Sequence, residues 1–174
     1  MAIIKGFGSQ SPRLAEPGWQ AENAVLIGDV ETCEYCSIWY NAVLRGDVNH
    51  IRVGRYSNIQ DAAVVHCNGD PSHPTLIGEG VSVGHGVQLH GCTLADACLI
   101  GIGAIVLNGA SVGDHSIVAA GALVLEGQVI PAGCLYAGVP AKKMRELTPS
   151  ERDRIEALAL HYWRDLASVY AAGS

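Results

Sequence analysis

Ile77-Gly78-Glu79-Gly80-Val81-Ser82, Val83-Gly84-His85-Gly86-Val87-Gln88, Leu89-His90-Gly91-Cys92-Thr93, Leu94-Ala95-Asp96-Ala97-Cys98-Leu99 and Ile100-Gly101-Ile102-Gly103-Ala104-Ile105 are consecutive segments, each opening on an aliphatic residue. The period is six, with a single five-residue step at Leu89. Followed in both directions, the starts are Leu26, Thr32, Ile38, Leu44, Val53, Ile59, Val65, Ile77, Val83, Leu89, Leu94, Ile100, Val106, Val112, Val118, Val124 and Ile130. Only Thr32 is not aliphatic. Four positions after nearly every start stands a small or slim residue, such as Cys36, Ala42, Ser57, Ala63, Val81, Cys98, Ala104 or Ser116; Gln128 is the exception. An amphipathic helix cannot sustain a six-residue period. A solenoid of very short strands can. One aliphatic side chain per hexad points inward, and the slim residue lies near a corner. Three hexads close a triangle of about 18 residues, and coils stack at roughly 4.8 Å. Seventeen starts at three per coil predict between five and six coils.

Two insertions interrupt the period. Leu44 and Val53 stand nine apart, which is three residues too many, and Val65 and Ile77 stand twelve apart around Gly69, Asp70, Pro71 and Pro74. The second reads as an external loop. The single domain 1–174 therefore divides into a lead-in over 1–25, a β-helix over 26–135, an exit over 136–147 and a helix over 148–170. Thr148-Pro149-Ser150-Glu151 is a capping box with Pro at the first helical position. Ile155, Leu158, Tyr162, Leu166 and Val169 then recur at helical spacing, which predicts one apolar face laid on a solenoid flank.

Composition agrees with a folded chain: 174 residues, 49% hydrophobic and 16% charged, with 21 Gly and only 6% aromatic residues. The net charge is −6, and no Lys or Arg occurs between Arg55 and Lys142. Nucleic-acid and anionic-membrane partners are excluded on that ground. No apolar run approaches the roughly 20 residues of a membrane span. The first ten residues lack a secretory apolar stretch, so a cytoplasmic protein is expected. Six cysteines, including the lone pair Cys33 and Cys36, read as reduced thiols rather than a zinc or disulfide framework.

The triangular coil turns position into geometry. Arg45, His66 and His90 each follow an inward aliphatic by one residue on the same side of the prism. They should form one column. Asp61 and His85 form a second column on another side. His66 and His90 can share a metal within one chain, whereas His85 could join only from a neighbouring prism. A three-histidine site would then require a cyclic trimer. His50, His115, His161 and the loop residue His73 read as structural or surface residues.

Those residues carry a resemblance. Arg45-Gly46-Asp47, Asn49-His50-Ile51-Arg52, Gly54, Asn58-Ile59-Gln60-Asp61, His66, Gly84-His85-Gly86 and Leu89-His90-Gly91-Cys92 resemble the gamma-class carbonic anhydrase family, from about residue 19 through the capped helix. The resemblance implies a left-handed parallel β-helix, although general crossover chirality favours the opposite hand. It also implies a homotrimer with metal shared between subunits, and CO₂ and bicarbonate as substrate and product. His66, His85 and His90 match the metal ligands, with His85 from the adjacent subunit. Zn²⁺ is the implied metal, and Fe²⁺ or Co²⁺ suits the same donors. Gln60 matches the side chain that orients metal-bound solvent, and Asn58 a polar neighbour. Arg45 and Asp47 match residues that organise the interface, Arg45 pairing with an acid across it such as Asp61. Tyr162 matches a tyrosine approaching from the C-terminal helix. The implied activity is that of a lyase, metal-assisted hydration of CO₂. The chain departs from the best-known members at residues 67–74, where a longer acidic loop carries a glutamate proton shuttle; here His73 is the candidate relay. Val48 likewise replaces an acid. Two other functions fit a hexapeptide solenoid. Gly138-Val139-Pro140-Ala141-Lys142 resembles the exit of acyl-CoA-dependent acetyltransferases, and a metal-binding trimer could serve as a non-catalytic scaffold.

Overall fold

A computed structural model of the chain describes residues 1–173. It is an all-β solenoid, a left-handed parallel β-helix of about seven turns, followed by a short C-terminal helix. The first two faces form one continuous twelve-stranded sheet, because Val25–Thr32 and Val43–Val53 run round the corner between them. The third face runs from Trp19–Gln20 through Ser37–Ile38, Asn58–Ile59, Ser82–Val83, Leu99–Ile100 and Ile117–Val118 to Cys134–Ala137.

The hexad starts do what their spacing demands. Leu26, Ile38, Leu44, Ile59, Val65, Val83, Leu89 and Ile100 are all buried in one core. The slim corner residues are buried too, and several tie one coil to the next. The Ser57 hydroxyl donates to the Gly78 carbonyl at 2.7 Å, and the Cys36 thiol sits 3.0 Å from the Gly54 carbonyl. Stacking at strand spacing leaves no room for side chains at certain turns. A Cβ on Gly54 would stand 2.5 Å from the Gly78 carbonyl, and one on Gly101 would stand 2.5 Å from the Ala120 amide nitrogen.

About seven turns exceed the five to six expected. The extra coil comes from residues 1–25, read from the sequence as a lead-in. Ile3–Lys5, Arg13–Leu14 and Trp19–Gln20 pair in parallel with Val25–Thr32 and Ser37–Ile38. Its period is hidden by the turn between Phe7 and Gln10, whose backbones bond to one another.

The three-residue insertion lies where counting puts it. Gly28 pairs with Gly46 and Val30 with Ile51, so residues 47–50 bulge opposite the single residue Asp29. Asn49 in this bulge donates to the carbonyls of Asn68 and Asp70, fastening the external loop to it.

Thr148 caps the helix Pro149–His161 with the full reciprocal box. Ile155 packs against Leu99, Ile117 and Leu135, so the helix lies on the third face of its own solenoid. Beyond it, Tyr162–Ala167 is a π-helical turn before Ser168–Ala172. Its wider winding shifts the phase of the last turn. Ala167 is therefore fully buried, while Val169, expected on the apolar face, is 65% exposed.

Candidate metal centre

The strand register places Arg45 beside His66 and His66 beside His90, one coil apart each, as the prism geometry requires. His66 ends the strand Val64–His66 and His90 ends Gln88–His90, both at the same corner. Thr75 locks this corner: its buried hydroxyl donates to the His66 carbonyl and accepts from the Gly91 amide.

The side chains converge. His66 Nδ1 lies 3.0 Å from His90 Nε2. Each ring is held by its other nitrogen. His66 Nε2 donates to Asp47 Oδ1 at 2.9 Å, and His90 Nδ1 donates to Asn108 Oδ1 at 2.7 Å. Asp47 can only accept while ionised. Burial pushes its carboxyl up, but hydrogen bonds from His66 and from Arg45, the latter at 2.6 Å, outweigh this and hold it below the usual carboxylate range. Asn108 must turn its oxygen to His90, because its amide nitrogen donates to Glu126 Oε1 at 2.8 Å. With both rings neutral, each of the two facing nitrogens presents a lone pair. Lone pairs 3.0 Å apart repel unless a proton or a metal cation lies between them. Two imidazole nitrogens on one tetrahedral Zn²⁺, at roughly 2.0–2.1 Å each, stand about 3.3 Å apart. The donor pair fits a divalent metal.

His85 occupies the other corner of the same face. Its Nδ1 lies 2.8 Å from Asp61 Oδ2, on a side chain 45% exposed. The Asp61–His85 column thus forms as counted, and Gly86 donates to the Asp61 carbonyl. Among the described residues, no group of three or more metal-ligating side chains gathers within one chain. His66 and His90 meet; His85 stands apart from them.

The remaining candidates form a buried polar ladder. Gln60 Nε2 donates to Asn58 Oδ1 at 3.0 Å, and Asn58 Nδ2 donates to Ser82 Oγ at 2.9 Å. Tyr162 packs edge-on against Trp39 at 5.4 Å between ring centres. Burial raises its hydroxyl pKa, and the negative charge of Asp61 adds to this. Within the chain Arg45 pairs with Asp47, and Asp61 with His85; Arg45 and Asp61 do not pair with each other here. Asp47, which the family resemblance matched to an interface role, is the acceptor that orients His66. Val48 is exposed, and His73 lies 3.2 Å from Ser72 Oγ in the loop. Asn108 and Glu126 escaped the sequence reading. Asn108 precedes Gly109 and resembles an ordinary turn residue; the signal was its spacing, 18 residues after His90.

All six cysteines are free; Cys33 is exposed and the other five are buried. Burial pushes the thiols of Cys36, Cys92 and Cys98 up to about 12, which keeps them protonated and unreactive at neutral pH. No helix among the described residues is long and apolar enough to cross a membrane.

Fold and corner histidines together define a class, the hexapeptide-repeat parallel β-helix proteins. No family model matches the chain. Over 142 residues it is 56% identical to a protein named "Probable carbonic anhydrase" from Methanocaldococcus jannaschii, covering 82% of this chain and 88% of that one. It is 43% identical over 167 residues to mitochondrial gamma carbonic anhydrase 1 of Arabidopsis thaliana, covering 94% of this chain and 60% of that one. A solved hexapeptide transferase family protein from Anaplasma phagocytophilum superposes with a TM-score of 0.92 at 39% identity, covering 97% of this chain and 98% of that one. The chain belongs to the gamma-class carbonic anhydrase family and is a carbonic anhydrase-like lyase.

Proposed function

We propose that the protein catalyses the reversible hydration of CO₂ to bicarbonate at a three-histidine centre shared between subunits of a homotrimer. His66 and His90 come from one chain and His85 from the next. The observation that carries this reading is the pair of imidazole nitrogens facing each other at 3.0 Å, each ring held by an acceptor behind it. When bound, Zn²⁺ supplies Lewis acidity that makes water nucleophilic near neutral pH, and Fe²⁺ or Co²⁺ suits the same imidazoles.

The chain's own residues do the rest. Asp47 and Asn108 orient the rings of His66 and His90, and Asp61 sits against His85. Arg45 keeps Asp47 ionised. Gln60 donates one amide hydrogen to Asn58, and its oxygen accepts a hydrogen bond from the attacking water. Tyr162 and Trp39 form an aromatic wall beside that ladder. His73, beside Ser72 in the loop, is our candidate for passing the released proton to solvent. Six unpaired cysteines accord with a reducing cytoplasm.

Stopped-flow CO₂ hydration on zinc-loaded and on anaerobic, iron-loaded protein tests this reading. A rate above buffer in either form supports it; none in both favours a metal-binding scaffold. The exit segment and the hexapeptide transferase neighbour favour a second reading, acyl transfer from acetyl-CoA. That chemistry needs one histidine base and gives no reason for two imidazoles to face each other. Tight CoA binding by a metal-free trimer would establish it instead.

A further inference from the structure

Two of the three candidate ligands are backed by carboxylates, and the third by an amide. A carboxylate accepts through either oxygen, so Asp47 fixes the tautomer of His66 whichever way it turns. An amide is ambivalent. Turned over, Asn108 would offer its NH₂ group to His90 Nδ1, and the imidazole proton would move to Nε2. That nitrogen lies 3.0 Å from His66 Nδ1, so a hydrogen bond between the two rings would then fill the gap between them. The reversed amide is thus the entrance to a self-satisfied, metal-refusing arrangement.

One contact opposes it. Asn108 Nδ2 donates to Glu126 Oε1 at 2.8 Å, and Glu126 lies 18 residues further on. Reversal would bring the amide oxygen against a carboxylate oxygen, with no hydrogen between them. Glu126 is an exposed side chain. We infer that Glu126, acting through Asn108, selects the tautomer of His90 that presents a free Nε2, and that both are positioning residues of the metal centre. This rests on the reading of His66 and His90 as ligands.

Two substitutions make the tautomer and the ligand assignment fail separately. In Glu126→Gln the new amide can donate to Asn108 Oδ1, which permits the reversal. ¹⁵N-imidazole correlation spectra of the metal-free protein should show His90 shifting toward the Nε2–H form. Zn²⁺ affinity, measured by competition with a chromophoric chelator, should fall roughly 10–100-fold. In the double variant Asn108→Asp/Glu126→Gln, an acceptor-only group faces His90 directly, and the introduced glutamine amide can donate to it. Tautomer and affinity should both recover. An unchanged His90 tautomer in Glu126→Gln overturns the inference, as does a loss that the double variant fails to restore. Should the wild type bind no Zn²⁺ at all, the ligand assignment fails, while the metal-free spectra still decide whether Glu126 governs His90.

Discussion

Asp47 carries two donors on one carboxylate, His66 on Oδ1 and Arg45 on Oδ2. Replacing it by Asn leaves the shape but lets an NH₂ group face the ring. Asp47→Asn should therefore weaken Zn²⁺ binding by roughly 10–100-fold with little change in thermal stability, measured by chelator competition and a melting curve. His90→Ala removes a ligand outright. Elemental analysis should find most of the bound metal gone, and unchanged metal content would contradict the assignment. The histidines themselves were legible, because a regular period converts sequence distance into a column. Their supports were less so. Asp47 sits in the bulge over 47–50, where counting loses its register, and Asn108 has the look of a turn residue.

The C-terminal helix is anchored at its first turn and its middle. Glu151 completes the capping box and meets Arg145 through two hydrogen bonds of 2.8 and 2.7 Å. The Arg145 guanidinium and then the Thr148 amide hold its carboxyl at about 2, below the ordinary 4.5. A depressed carboxylate stabilises the fold above its unfolded pKa and loses that contribution as it becomes protonated. Melting temperatures of wild type and Glu151→Gln should differ above about pH 4.5 and converge as pH falls toward 2. Ile155 is the buried anchor of the same helix. Truncation to Ala should cost roughly 2–5 kcal/mol in denaturant unfolding. Cap and first turns were written in the residues 148–151. The π turn was not: nothing in Tyr162-Trp163-Arg164-Asp165 announces a change of winding, and the stripe ending on Val169 was misjudged for that reason. The first coil was illegible on similar grounds, since the turn between Phe7 and Gln10 breaks the six-residue count on which every other coil depended.

At the scale of the whole molecule, the separation of His85 from the His66–His90 corner makes each proposed centre the property of two chains. A closed ring repeats that arrangement at every interface. Chains carrying His85→Ala and chains carrying His90→Ala should each be inactive alone. Mixed by co-expression, they should regain roughly a quarter of the complete centres, because random pairing joins an intact His66–His90 corner to an intact His85 at that frequency. Activity or Zn²⁺ content of the mixture no higher than that of either parent would show that the ligands are not divided between chains in this way. The thiols offer an independent handle. Five cysteines are buried, and Cys33 alone is exposed. A maleimide dye should consequently mark each native chain once, with a single mass increment. The solenoid arrives already equipped for site-selective fluorescence, and subunit exchange can be followed without engineering a cysteine or disturbing a histidine.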